Sequence, residues 1–147
     1  MKLSYLPADE RDIEAIYALE RALIEQYEDM ASIDADEVFA WVRRKLTKRI
    51  GEYLRIVCDG ETAGYIRVVP PEDGRVELDD LYLYPKYQGR GIGTAVLRRC
   101  IEQTELPLWL YVFRRNTRAI ALYERLGFRI VETISPTRCI MQREAEE

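Results

Sequence analysis

The run Tyr87-Gln88-Gly89-Arg90-Gly91-Ile92-Gly93-Thr94 constrains this chain more than any other stretch. It lies between a strand-like segment, Val76 to Tyr84, and a run in which Ala95, Val96, Leu97, Cys100 and Ile101 fall at helical spacing. Glycine at every second position leaves backbone N–H groups uncovered, and the first turn of a helix has no internal acceptors for its own. A strand, a bare loop and a helix N-terminus in that order form a unit that receives an anion, phosphate above all.

Spacing excludes two familiar nucleotide loops. A P-loop needs Lys and then Ser or Thr after its last glycine, so that the amine reaches the outer phosphates and the hydroxyl holds magnesium. Ile92, Gly93 and Thr94 stand there instead, without a lysine. The dinucleotide fingerprint wants Gly-x-Gly-x-x-Gly in the first strand-to-helix turn of a domain. This chain has Gly89-x-Gly91-x-Gly93 after about three earlier strands.

A third pattern fits. Gln88-x-x-Gly91-x-Gly93, preceded by Leu81-Tyr82-Leu83-Tyr84-Pro85, resembles the pyrophosphate loop of the GNAT acetyltransferase superfamily. That loop reads Gln or Arg, two residues, Gly, one residue, then Gly or Ala. Downstream, Leu108 to Phe113 reads as a buried strand, followed by Asn116-Thr117-Arg118-Ala119-Ile120-Ala121-Leu122-Tyr123-Glu124-Arg125-Leu126-Gly127-Phe128. This resembles the second motif of the same family: a strand, an Asn, a short helix ending in Leu-Tyr-Glu, and Gly-Phe opening the next strand. The two motifs cover about residues 76 to 133, and the remainder fits by length and element order. Gln88 stands where many relatives have Arg, which leaves Arg90 more of the phosphate charge to carry.

The resemblance implies acetyl-CoA as cofactor, no metal, and transfer of acetyl to a primary amine by direct attack in a ternary complex. Gln88, Gly89, Arg90, Gly91, Ile92, Gly93 and Thr94 would hold the pyrophosphate. The backbone of Leu81, Tyr82 and Leu83 would run along the pantetheine arm, with Asn116 touching the arm or an ordered water. Otherwise Asn116 is an ordinary turn residue. Tyr123 matches the helix tyrosine that gives a hydrogen bond or proton to the cofactor sulfur, and the N–H near Leu83 would steady the oxyanion. Asp79 aligns with an acidic strand residue that takes the amine proton, and Glu77 is two residues away on the same face. Either carboxylate serves the base role, or both only attract a cationic amine. The acceptor is a small cationic amine, or a protein N-terminus or lysine; a CoA-binding module without catalysis is the competing class. The family's acceptor groove maps to roughly Tyr27 to Asp36 and Thr133 to Arg138, and Glu28, Asp29, Asp34 and Asp36 give the first of these a local acidic excess.

Composition narrows the field independently. The 147 residues, 48% hydrophobic, are of ordinary size for a single domain spanning residues 1–147. Cys58, Cys100 and Cys139 sit singly in apolar surroundings and read as reduced core residues. The absence of histidine removes Ser-His and Cys-His nucleophile pairs and the usual zinc sites together. With a net charge of −4, neither a membrane-spanning run nor a signal-peptide core is present, so a cytoplasmic monomer or homodimer is expected. The basic cluster Arg43-Arg44-Lys45 with Lys48-Arg49 lies on a predicted helix and reads as a solvated face, against nucleic-acid binding.

The remaining pattern gives an α/β (α+β) fold: a mixed central sheet of about six to seven strands with a bulged fourth strand, flanked by about four helices. Lys2 to Leu6 is a first strand, and Asp9 caps a helix with the stripe Ile13, Ile16, Tyr17, Leu23, Ile24 and Tyr27. A helix over 34–50 buries Val38, Phe39, Trp41, Val42 and Leu46. Tyr53 to Cys58 and Thr62 to Val69 flank Asp59-Gly60, a two-residue hairpin turn. Arg129 to Thr133 and Thr137 to Gln142 close the chain as a second hairpin. In the fourth strand, Val76 and Leu78 share a face with Leu81 and Leu83 only if an extra residue is inserted near Asp79-Asp80.

Overall fold

A computed structural model describes residues 1–146. Its main elements are β1 (Leu3–Pro7), α1 (Ile13–Tyr27), α2 (Ala35–Arg49), β2 (Leu54–Cys58), β3 (Glu61–Val68), β4 (Val76–Leu83), α3 (Ile92–Glu102), β5 (Leu108–Phe113), α4 (Thr117–Arg125), β6 (Arg129–Thr133) and β7 (Arg138–Arg143). The strands follow the order β1-β2-β3-β4-β5-β7-β6 in one seven-stranded sheet, mixed as the sequence predicts and mostly antiparallel. No helix among the described residues is long and apolar enough to cross a membrane.

Two compact units share the chain, and β4 contributes to both, dividing after Asp79. The first contains Met1–Arg67 and Asp80–Tyr87. Here β1 pairs antiparallel with β2, and β2 with β3, with a register shift at Ile56/Val57. Local chemistry sets the helix starts. Asp9 and Asp12 form a reciprocal capping box on the turn that leads into α1, and the Asp34 carboxylate accepts the Glu37 N–H to cap α2. Phe39, Val42 and Leu46 recur on one stripe of α2 and are buried, as are Ile16 and Ile24 of α1. Trp41 is a correction: it is 53% exposed. Two residues advance a helix about 200°, which turns Trp41 away from the face that Phe39 buries.

The basic cluster on α2 is also partly engaged. Arg43 pairs with Glu14 and Arg49 with Glu52 on the surface. Lys45 reaches inward to Asp80 at 3.0 Å, both side chains being largely buried. Tyr82 donates its hydroxyl to the other Asp80 oxygen at 2.7 Å, and Tyr53 donates a further hydrogen bond. A carboxylate only 6% exposed is thus paired with one ammonium and hydrogen-bonded by two phenols. Along β4 burial alternates without a break, with Val76, Leu78, Asp80 and Tyr82 buried and Leu81 and Leu83 half-buried, so the expected insertion near Asp79-Asp80 does not bring the four apolar residues onto one face: Asp80 and Tyr82 take the buried positions instead. Beside them, a Cβ on Gly64 of β3 would stand 1.9 Å from the Tyr82 carbonyl oxygen, so only glycine admits this approach. Removing the acceptor by Asp80→Ala is expected to cost about 3–5 kcal/mol in urea unfolding, because a largely buried ion pair loses its carboxylate and two phenols lose their acceptor. Arg49→Ala, which breaks an exposed pair, costs under about 1 kcal/mol in the same measurement.

The second unit contains Val68–Asp79 and the described residues from Gln88 onward. Parallel pairing of β4 with β5 joins Val76 to Leu108 and Glu77 to Trp109. β5 pairs antiparallel with β7 over all six of its residues, and β7 with β6. Val76, Leu78, Val96, Leu97, Leu108, Leu110, Val112, Phe128 and Met141 make its core. Cys58, Cys100 and Cys139 are free and buried, as the sequence predicts.

Candidate active site

The glycine loop opens α3. Gly91 occupies the N-cap position with φ +82°, and no side chain caps the helix. The first helical hydrogen bond runs from Ala95 N–H to the Gly91 carbonyl at 3.1 Å, so the N–H groups of Ile92, Gly93 and Thr94 lie ahead of it and face out of the helix end. Space around Gly91 is open, with nothing within 4 Å of where a Cβ would stand. At Gly89 a Cβ would lie 3.0 Å from Arg118 Nη2, which places an exposed guanidinium against the loop. Sequence reasoning missed Arg118. Its signal was a cation in the first turn of the helix after Asn116, within the second motif.

Asn116 is the N-cap of α4: its side-chain oxygen accepts the Ala119 N–H at 3.2 Å. Seven residues on, Tyr123 is half-buried, with its ring centroid 5.7 Å from that of Phe128. The Tyr123 carbonyl accepts the N–H groups of Leu126 and Phe128, each at 3.0 Å, which ends the helix and turns the chain into β6. Burial pushes the Tyr123 phenol up to about 12. A phenol so placed keeps its proton through neutral pH and acts as a donor.

Glu77 and Asp79 are half-buried at alternate positions of β4 and therefore share a side of that strand. Glu77 lies directly across the parallel pair from Trp109. Asp80, which the sequence reading passed over as a base, belongs instead to the buried ion pair with Lys45. Tyr82 is committed there too, so its side chain cannot face a ligand, and burial with the neighbouring Asp80 charge holds its phenol well above the usual range.

The acidic residues near the first acceptor segment have local duties. Glu28 accepts the Asp29 N–H, Asp29 accepts the Ser32 hydroxyl, and Asp34 caps α2. Carboxylates used in this way are ordinary turn and cap partners, which removes much of their weight as an argument about the acceptor.

With the loop and its flanking strand in place, comparison with known proteins identifies the class. The model of the acetyltransferase (GNAT) family matches residues 14–128, and the chain belongs to that family of acyltransferases. An uncharacterised N-acetyltransferase of Mycobacterium tuberculosis is 36% identical over 76 residues, 49% of each chain, so the match spans about half of that relative. A spermine/spermidine N(1)-acetyltransferase of Bacillus subtilis is 39% identical over 62 residues, 39% of this chain and 41% of that one. The ribosomal protein bS18 alanine N-acetyltransferase of Escherichia coli is 34% identical over 102 residues, 61% of this chain and 65% of the relative. Among solved structures, the PaiA N-acetyltransferase of Thermoplasma acidophilum in complex with coenzyme A has a TM-score of 0.75 at 22% identity, covering 98% of this chain and 99% of its own. That likeness is one of fold.

Proposed function

We propose that this protein transfers an acetyl group from acetyl-CoA to a primary amine by direct attack in a ternary complex. The uncapped N-terminus of α3 behind the left-handed Gly91, in a chain of the acetyltransferase (GNAT) family, carries this reading. The N–H groups of Ile92, Gly93 and Thr94, with Gln88, Gly89 and Arg90, bind the pyrophosphate, and Arg118 adds a cation beside Gly89. The Leu81–Leu83 backbone holds the pantetheine arm, with its N–H near Leu83 on the oxyanion.

The amine first gives a proton to Glu77 or Asp79, directly or through water. Its nitrogen then bonds to the thioester carbon, and as the tetrahedral oxyanion collapses the C–S bond breaks and the nitrogen gives up its second proton through water to solvent. Tyr123, whose phenol is protonated at neutral pH, gives a hydrogen bond or a proton to the leaving thiolate. With its cysteines buried and no histidine in the chain, there is no Cys-His or Ser-His pair to form an acetyl-enzyme, which supports the direct route. The relatives' acceptors, a polyamine and a protein alanine, are both amines, and we place the acceptor here among small amines that are cationic in solution.

Two measurements test the reading: calorimetric binding of CoA, and release of free thiol from acetyl-CoA over a panel of amines and peptides. Turnover of at least one amine is expected. Binding of CoA with no turnover of any acceptor would leave a CoA-binding module in its place.

A further inference from the structure

The second unit carries a feature that acetyl transfer alone does not use. One face of β5 is core, with Leu108, Leu110 and Val112 buried. The alternate residues Trp109, Tyr111 and Phe113 form an aromatic ladder on the other face, partly open to solvent. Trp109 and Tyr111 meet edge to face at 5.1 Å. Arg75 lies over the Trp109 ring at 4.4 Å and donates to Gln142 at 3.0 Å. Arg138 lies over Tyr111 at 4.9 Å and over Phe113 at 5.5 Å. Among the described residues, no carboxylate forms an ion pair with Arg75 or Arg138. Glu77, a candidate base, is in register with Trp109 at one end of this ladder, and Arg138 is in register with Phe113 at the other.

We propose that the acceptor amine also bears an anionic group, a carboxylate or a phosphate, and that Arg138 binds it. This rests on the acetyl-transfer reading and narrows its acceptor. Ring faces already covered by guanidinium groups present positive charge, so they repel a second ammonium instead of caging it. A stacked guanidinium has its orientation fixed while its N–H edge stays free, the arrangement that recognises a planar carboxylate bidentately. Trp109 and Phe113 are four residues apart, roughly 13 Å along the strand. The Arg138 guanidinium, over Tyr111 as well as Phe113, lies inside that span, which leaves it within reach of a compact amino acid. The amine thus meets the acidic end of the ladder and the anion meets the basic end.

Thiol release is measured with matched acceptors: β-alanine and its amide, 4-aminobutyrate and its amide, O-phosphoethanolamine and ethanolamine, and spermidine. The acidic member of at least one pair is expected to have kcat/KM at least about tenfold above its neutral partner. Whether the amino acids or the phosphate ester show it decides which anion is read. Arg138→Gln is expected to bring that ratio close to one, chiefly through the acceptor KM, with Arg138→Lys restoring part of it. Equal turnover within every pair, preference for spermidine, or an Arg138→Gln variant that lowers both members alike overturns the proposal. Turnover of spermidine alone does so while leaving acetyl transfer intact. Absence of any turnover despite CoA binding removes both.

Discussion

Gly91→Asp is expected to abolish acetyl-CoA binding, with calorimetric affinity falling by at least about a hundredfold while the protein stays folded. Gly91 sits at φ +82°, where a residue with a Cβ pays about 1–2 kcal/mol. An N-cap aspartate accepts first-turn N–H groups from an extended backbone, which this φ does not give, so little of that cost is offset. The charge defeats the ligand: a fixed carboxylate stands at the helix end where two phosphates belong. Gly91→Ala separates the effects, since it adds strain without charge and nothing lies within 4 Å of its Cβ. Affinity unchanged in Gly91→Asp would sink the assignment of the loop.

Tyr123→Phe is expected to lower kcat by about 10²–10⁴-fold with little change in the KM for acetyl-CoA. The substitution keeps the ring against Phe128 and removes only the hydroxyl, so thermal stability is expected to change little. The pH dependence gives a second readout. Because burial raises the Tyr123 pKa to about 12 from its ordinary 10, the phenol stays protonated on the alkaline side, and wild-type activity is expected to rise with pH as the amine acceptor deprotonates. The sign for stability follows: the neutral phenol favours the folded state below pH 10, and that contribution is lost as pH rises toward 12. A kcat retained in Tyr123→Phe would assign the thiolate's proton to another donor, water included.

Much of the fold was legible because it is written locally. Leu108–Phe113 and Arg129–Thr133 occur at the boundaries the pattern predicts, and Asp9 caps the short turn that leads into α1, one turn ahead of the helix it was expected to cap. The loop ahead of α3 was legible for the same reason: strand, glycines and helix are consecutive. What local pattern could not carry was pairing at a distance. Lys45 and Asp80 are 35 positions apart, so one read as part of a solvated face and the other only as the neighbourhood of an inserted residue, though they form a single buried pair. Trp41 was drawn into the core by its hydrophobicity, although helix geometry alone places it across from Phe39. Arg118 and Arg138 failed differently. Arginines are common on surfaces, and only the positions of the Gly89 backbone and the β5 rings show that these two have somewhere particular to point.

The burial of all three cysteines has a practical side. Burial raises the Cys100 thiol to about 11 and shifts Cys139 upward as well, so neither forms thiolate readily. A colorimetric reagent that traps thiolates should therefore find little to react with on the native protein. Each mole of colour in the proposed assays would then report one mole of CoA released, and enzyme added in large amounts for a slow acceptor would contribute almost no blank.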